Sequence, residues 1–189
     1  MIIPVTDPAA PERAGAVLMN GGLIIYPTDT LYGFGVDATH EAVLKRLESL
    51  KGRGGPWSVL APDADAVQSV VRLSATEFAR IRPVLGGRTT VILPVLDSWV
   101  HPAAMGPDST VGIRIPDHRF CQQLSLFFDR PITTTSVNRT GQTPMNSIPE
   151  IKAEFGSEAD LIVDGGTLPA TSGSVIYRWD RGSLIRVRN

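Results

Sequence analysis

Apolar positions along this 189-residue chain change their spacing repeatedly, and each change marks an element. Ala10, Ala14, Val17 and Leu18 fall on one side of a helix predicted over residues 9–20, and Gly21-Gly22 ends it with a permissive backbone. Leu23-Ile24-Ile25-Tyr26 is a compact apolar strand running into Pro27. With Thr39 as N-cap, residues 40–51 read as a helix that buries Val43, Leu44, Leu47 and Leu50. Residues 57–61 read as a strand, and 63–71 and 74–82 as helices opened by Asp63 and Ser74. Residues 89–93 and 110–115 are rich in β-branched side chains and read as strands. Pro116-Asp117 opens a helix to Phe128, residues 132–136 form one strand, and Pro149 marks the first turn of a helix over 148–155. Short strands at 161–164, 174–177 and 184–187 close the chain. Helices alternate with strands early and strands crowd together late. That order predicts an α/β fold of mixed α+β character: a twisted, largely open mixed sheet flanked by helices, with ligand loops at strand ends.

Composition narrows the picture. The length suits a single domain over residues 1–189, and 42% hydrophobic with 20% charged residues is ordinary for a globular chain. Eighteen basic against 19 acidic residues argue against a generic nucleic-acid coat, which needs a cationic surplus, while leaving room for a local basic cleft. Cys121 is the single cysteine, so neither an intramolecular disulfide nor a cysteine-rich zinc site is expected. No segment has the length of a membrane span and the N-terminus lacks a signal pattern, so the expectation is a cytoplasmic protein without membrane partners. Asn138-Arg139-Thr140 matches a glycosylation sequon, read as coincidence without a secretion signal.

Three polar segments carry candidate chemistry. Tyr26-Pro27-Thr28-Asp29-Thr30-Leu31-Tyr32-Gly33-Phe34-Gly35 is a strand exit dense in hydroxyls, either a substrate-gripping loop or a turn held by local Thr and Asp bonds. Lys51-Gly52-Arg53 puts two cations at a helix end, either for an anion or as a solvated terminus favoured by the helix dipole. Thr134-Thr135-Ser136-Val137-Asn138 offers hydroxyls and an amide at a strand end. Cations with small hydroxyl and amide donors are what a polyphosphate or a carboxylate requires. The remaining candidates read more plainly. His40, His101 and His118 lack metal spacing, Asp164-Gly165-Gly166 reads as a plain turn in preference to a phosphate loop, and Glu48 and Lys51 are three apart as in helix-face pairing.

The ordered set resembles the YrdC-like family of threonylcarbamoyl-AMP synthases. The resemblance runs from Y-P-T-D-T-L-Y-G-F-G through K-G-R, T-V-G-I-R-I-P around Arg114 and T-T-S-V-N-R-T-G-Q-T-P to G-S-V-I at Ser174 and L-I-R-V-R, in the short form without an extra C-terminal domain. It implies an adenylyl transfer by a nucleotidyltransferase in which L-threonine, bicarbonate or CO2, and ATP give threonylcarbamoyl-AMP and pyrophosphate. The product would feed threonylcarbamoyl modification of tRNA adenosine through downstream transferase proteins. By family position Lys51, Arg53, Ser136 and Asn138 form the ATP-binding and catalytic tetrad. Thr30 and Arg114 hold threonine, Ser174 lies on the threonine side, Thr134 lines the cleft and Arg186 lies on the nucleotide side. Mg²⁺ is expected to arrive with ATP rather than in a protein site. The rival readings are a non-catalytic double-stranded RNA or tRNA binder, which 6% aromatic content disfavours, and a carbamoyl-adenylate enzyme, whose relatives carry cysteine motifs.

The chain departs from the family at three points. Gly54-Gly55-Pro56-Trp57 is shorter than the usual segment after the K-x-R and lacks its lysine-proline pair. Leu85-Gly86-Gly87-Arg88-Thr89-Thr90 stands where the family has W-P-G-P-x-T, and Ser136-Val137-Asn138 stands for S-A-N.

Overall fold

The computed structural model describes residues 1–188, with the side chain of residue 188 outside the description. In chain order the elements are β1 (Ile2–Pro4), α1 (Ala10–Met19), β2 (Ile24–Pro27), β3 (Tyr32–Gly35), α2 (Glu41–Lys51), β4 (Val59–Leu60), α3 (Ala64–Val70), α4 (Ala75–Ile81), β5 (Thr89–Pro94), β6 (Thr110–Arg114), α5 (Arg119–Phe128), β7 (Ile132–Thr133), β8 (Thr135–Ser136), α6 (Ile148–Phe155), β9 (Leu161–Asp164), β10 (Val175–Asp180) and β11 (Ser183–Arg188). The fold is mixed α/β, and its strands divide between two open sheets. One has the order β1-β9-β2-β3-β8, the other β11-β10-β5-β6-β4-β7.

Alternation along β2 shows how the layers form, since successive side chains of a strand face opposite ways. Ile24 and Tyr26 pack with Ala10, Ala14 and Leu18 of α1 and with Phe120, Leu124 and Phe128 of α5. Leu23 and Ile25 share a core with Val91, Leu93, Val111 and Ile113 of the six-stranded sheet and with Leu44 and Leu47 of α2. The intervening positions of β5 and β6, Thr90, Ile92, Thr110, Gly112 and Arg114, face the other way and form the floor of a cavity.

Local sequence explains most boundaries. Asp63 caps α3 by accepting from Ala66 N–H, and Ser74 with Glu77 forms a capping box on α4. The helix expected to open at Pro116 begins at Arg119, after His118. The residue before α2 is His40, not Thr39, whose hydroxyl donates instead to Asp37 Oδ1 at 2.6 Å. Asp164 Oδ1 accepts from Gly166 N–H at 2.8 Å, which makes that segment the expected turn.

Two differences from the sequence reading bear on the site. Tyr32–Gly35, which the sequence places in a polar strand exit, is a fully buried strand paired antiparallel with β2. The single strand expected over 132–136 is two short ones in different sheets. Thr133 pairs with Val59 of the six-stranded sheet, and Thr135 pairs with Phe34 of the five-stranded one. Thr134 bridges them, its N–H donating to Ser58 O at 2.7 Å.

Candidate active site

The cavity has a volume of about 500 Å³. Lys51, Arg53, Ser136, Asn138, Thr30, Arg114, Thr134 and Ser174 all line it, although they come from five separate stretches of chain.

The Lys51 corner is built by a helix end meeting a strand end. Helix α2 stops at Gly52, which adopts a left-handed conformation (φ 70°) that a side chain would resist. That stop aims Lys51 inward, and its Nζ donates to Ser136 O at 2.8 Å, Asn138 O at 2.6 Å and Asn138 Oδ1 at 2.8 Å. Ser136 Oγ donates to the same Asn138 Oδ1 at 2.6 Å, while Asn138 Nδ2 donates to Arg139 O and Gln142 O. The ammonium therefore spends its three donors on neutral dipoles, not on Glu48 as helix-face pairing suggests. Burial, reinforced by the nearby Arg53 charge, lowers the Lys51 pKa to about 8.

Arg53 stands at the rim, exposed. Its Nη1 donates to Gly54 O at 2.7 Å, and its guanidinium lies 4.4 Å from the centre of the Trp57 ring.

The Arg114 corner works differently. Arg114 ends β6, buried, and forms an ion pair through Nη2 with Asp29, whose side chain is also largely buried. Its Nη1 donates to Thr28 Oγ1 at 3.4 Å, and the Thr28 and Thr30 hydroxyls lie 3.1 Å apart. Asp29 Oδ2 also accepts from Asp117 N–H at 3.2 Å. Arg114 Nε is buried without a partner among the described residues. Beside it on the floor, Thr90 lies opposite Arg114, and the Thr90 and Ser174 hydroxyls are 2.7 Å apart.

Arg186 is the candidate that the structure does not bring in. Ile176 and Arg178 line the cavity, whereas Tyr177 between them packs on the core. Arg186 is the direct cross-strand partner of Tyr177, and directly paired residues share a face. Its side chain consequently points away from the floor and is exposed. The sequence reading left out Asp29, Trp57, Thr90 and Arg178. Asp29 lies in the polar strand exit, where the sequence suggests only a local turn-holding bond and not its ion pair with Arg114. Arg178 follows by alternation from Ile176 on β10, but the strand read from the sequence stops at residue 177 and does not reach it.

The model of the Sua5/YciO/YrdC family, described as telomere recombination, matches residues 16–189. The chain belongs to this family. Curated relatives include the threonylcarbamoyl-AMP synthases of Chromohalobacter salexigens, 31% identical over 176 residues (92% of this chain and 94% of that protein), and of Thiobacillus denitrificans, 34% identical over 174 residues (90% and 92%). Among solved structures, P. abyssi Sua5 complexed with L-threonine superposes with a TM-score of 0.88 at 24% identity, covering 100% of this chain and 57% of that one. At that identity the likeness speaks for the fold.

Proposed function

We propose that the protein is a threonylcarbamoyl-AMP synthase that joins L-threonine, bicarbonate or CO2, and ATP into threonylcarbamoyl-AMP and pyrophosphate. The observation that carries this reading is the convergence of the Lys51–Ser136–Asn138 cluster, Arg53 and the Arg114–Asp29 pair on one cavity. The family membership and the name shared by relatives of matching length support it.

The reaction is an adenylyl transfer. The threonine amine takes up CO2 to form a carbamate, a carbamate oxygen attacks the α-phosphorus, and pyrophosphate leaves in line. Negative charge grows on the non-bridging and leaving oxygens, so fixed cations beside them lower the barrier. Lys51 and Arg53 supply those cations. In this structure Lys51, Ser136 and Asn138 bond one another, so a phosphate oxygen takes over a donor now directed at Asn138 Oδ1 without any large movement. The carbamate is already nucleophilic, and positioning supplies much of the remaining acceleration.

Threonine binds at the other corner. Asp29 takes one N–H of Arg114 and Thr28 Oγ1 another, and the remaining terminal N–H donors are left for the substrate carboxylate. Thr30 reads the substrate hydroxyl, a kind of contact that rejects a deoxy analogue far better than a pocket wall rejects one methyl group. Mg²⁺ travelling with the triphosphate keeps most of its coordination to phosphate and water, and the neutral oxygens of Ser136 and Asn138 fit that role. The product, a mixed anhydride, is consumed by a transferase that moves its threonylcarbamoyl group to tRNA.

The test is mass spectrometry of the product formed from ATP and ¹³C-bicarbonate with threonine, serine and 2-aminobutyrate in turn. A ¹³C-labelled threonylcarbamoyl-AMP, with less product from the other two, is expected. ATP left unconsumed in all three mixtures refutes the reading.

A further inference from the structure

Arg53 stands in the cavity rim with two supports. Gly54 O takes one N–H at 2.7 Å, and the Trp57 ring lies under the guanidinium at 4.4 Å. Among the described residues no carboxylate forms an ion pair with it. The ring is firmly set. Trp57 is 1% exposed, belongs to the core, and its backbone N–H donates to Ala104 O at 3.0 Å. Among the described residues its Nε1 has no hydrogen-bond partner, so beyond its packing in the core the indole bears on the cavity through its ring face. Gly54 and Gly55, between the two residues, have no side chains to steer the arginine. A flat, immobile aromatic face holds a guanidinium in one plane while leaving its edge N–H groups free for an anion.

We infer that Trp57 is a positioning residue for Arg53, its ring seating the guanidinium at the cavity rim so that the edge meets the leaving pyrophosphate. The inference rests on the reading of the cavity as an ATP site. It also gives the short Gly54-Gly55-Pro56-Trp57 segment a purpose: the lysine that the family resemblance leads one to expect there is absent, and the ring secures the arginine that remains.

Calorimetric titration with pyrophosphate, and separately with L-threonine, tests this on the full chain. Trp57→Leu is expected to weaken pyrophosphate binding about tenfold and leave threonine affinity unchanged. Trp57→Phe, which keeps an aromatic face, is expected to recover all but about threefold. In the Arg53→Ala background, Trp57→Leu should cost nothing further, because the two changes remove one interaction. Equal losses for both ligands, or the same loss with Arg53 present or absent, would overturn the inference and leave the proposed reaction standing. Trp57-dependent pyrophosphate binding in a protein that makes no adenylate would support the inference and sink the reaction. Wild-type protein that does not bind pyrophosphate refutes both.

Discussion

Lys51 and Arg114 are both buried cations lining one cavity, and they are stabilised in opposite ways. Lys51 is surrounded by a carboxamide and two carbonyl oxygens and has Arg53 as its charged neighbour. Arg114 is paired with the carboxylate of Asp29. The first corner keeps its positive charge and the second is nearly neutral. A triphosphate, strongly anionic, belongs at the unpaired end. An amino acid carrying both signs suits the paired end, where the proposed function puts its carboxylate against Arg114. On the proposed function, this difference orients the two substrates along the cavity.

The comparison is broken most severely at Lys51. Replacing it with alanine should remove about 2–4 kcal/mol of transition-state stabilisation, read as lost pyrophosphate release, with the circular dichroism spectrum retained. Lys51→Met, which keeps the aliphatic stem, should lose activity to the same degree. Asp29→Asn sharpens the other side. It leaves Arg114 an uncompensated buried cation, a change that costs about 3–5 kcal/mol when such a pair loses one partner. Thermal melting should show that loss, and KM for threonine should rise far more than KM for ATP.

A smaller effect follows from pH. The Lys51 pKa is depressed from its ordinary 10.5 to about 8, so the charge is present below that value and lost above it. ATP affinity, titrated without threonine or bicarbonate, should fall as pH rises through about 8. In the same window, between 8 and 10.5, the unfolded chain holds more protons than the folded one, so the Lys51 contribution to stability increases with pH. Threonine affinity measured over the same range should lack the Lys51 step. The smallest effect is expected at Arg186. Facing away from the floor, it should tolerate alanine with KM for ATP changed less than about twofold, whereas a tenfold rise would return it to the nucleotide side.

How far the sequence foretold these features depended on how local their causes are. Helix α2 and its stop at Gly52 were legible because apolar spacing and a left-handed terminus are written in consecutive residues. Strand β3 was not. Its two glycines lower strand propensity, and the reason for them lies elsewhere in the fold: a Cβ at Gly35 would come within 2.8 Å of the Tyr26 ring. The division of 132–136 was hidden for a similar reason, since a run of β-branched and hydroxyl residues cannot say which of two sheets each will join. Motif order brought eight of the nine named side chains to one cavity. Arg186 escaped because its facing depends on cross-strand register with Tyr177, which no spacing along the chain encodes. The Arg114–Asp29 pairing joins residues 85 positions apart and was beyond the same horizon.

The crossing at Thr134 ties these features together mechanically. Thr133 and Thr135 are anchored in different sheets with a single residue between them. No slack exists there, so the floor carrying Arg114 and the strand end carrying Ser136 behave as parts of one frame. Loosening the packing between the layers would alter the gap that the two substrates must span, and catalysis would register such damage well before the chain came apart.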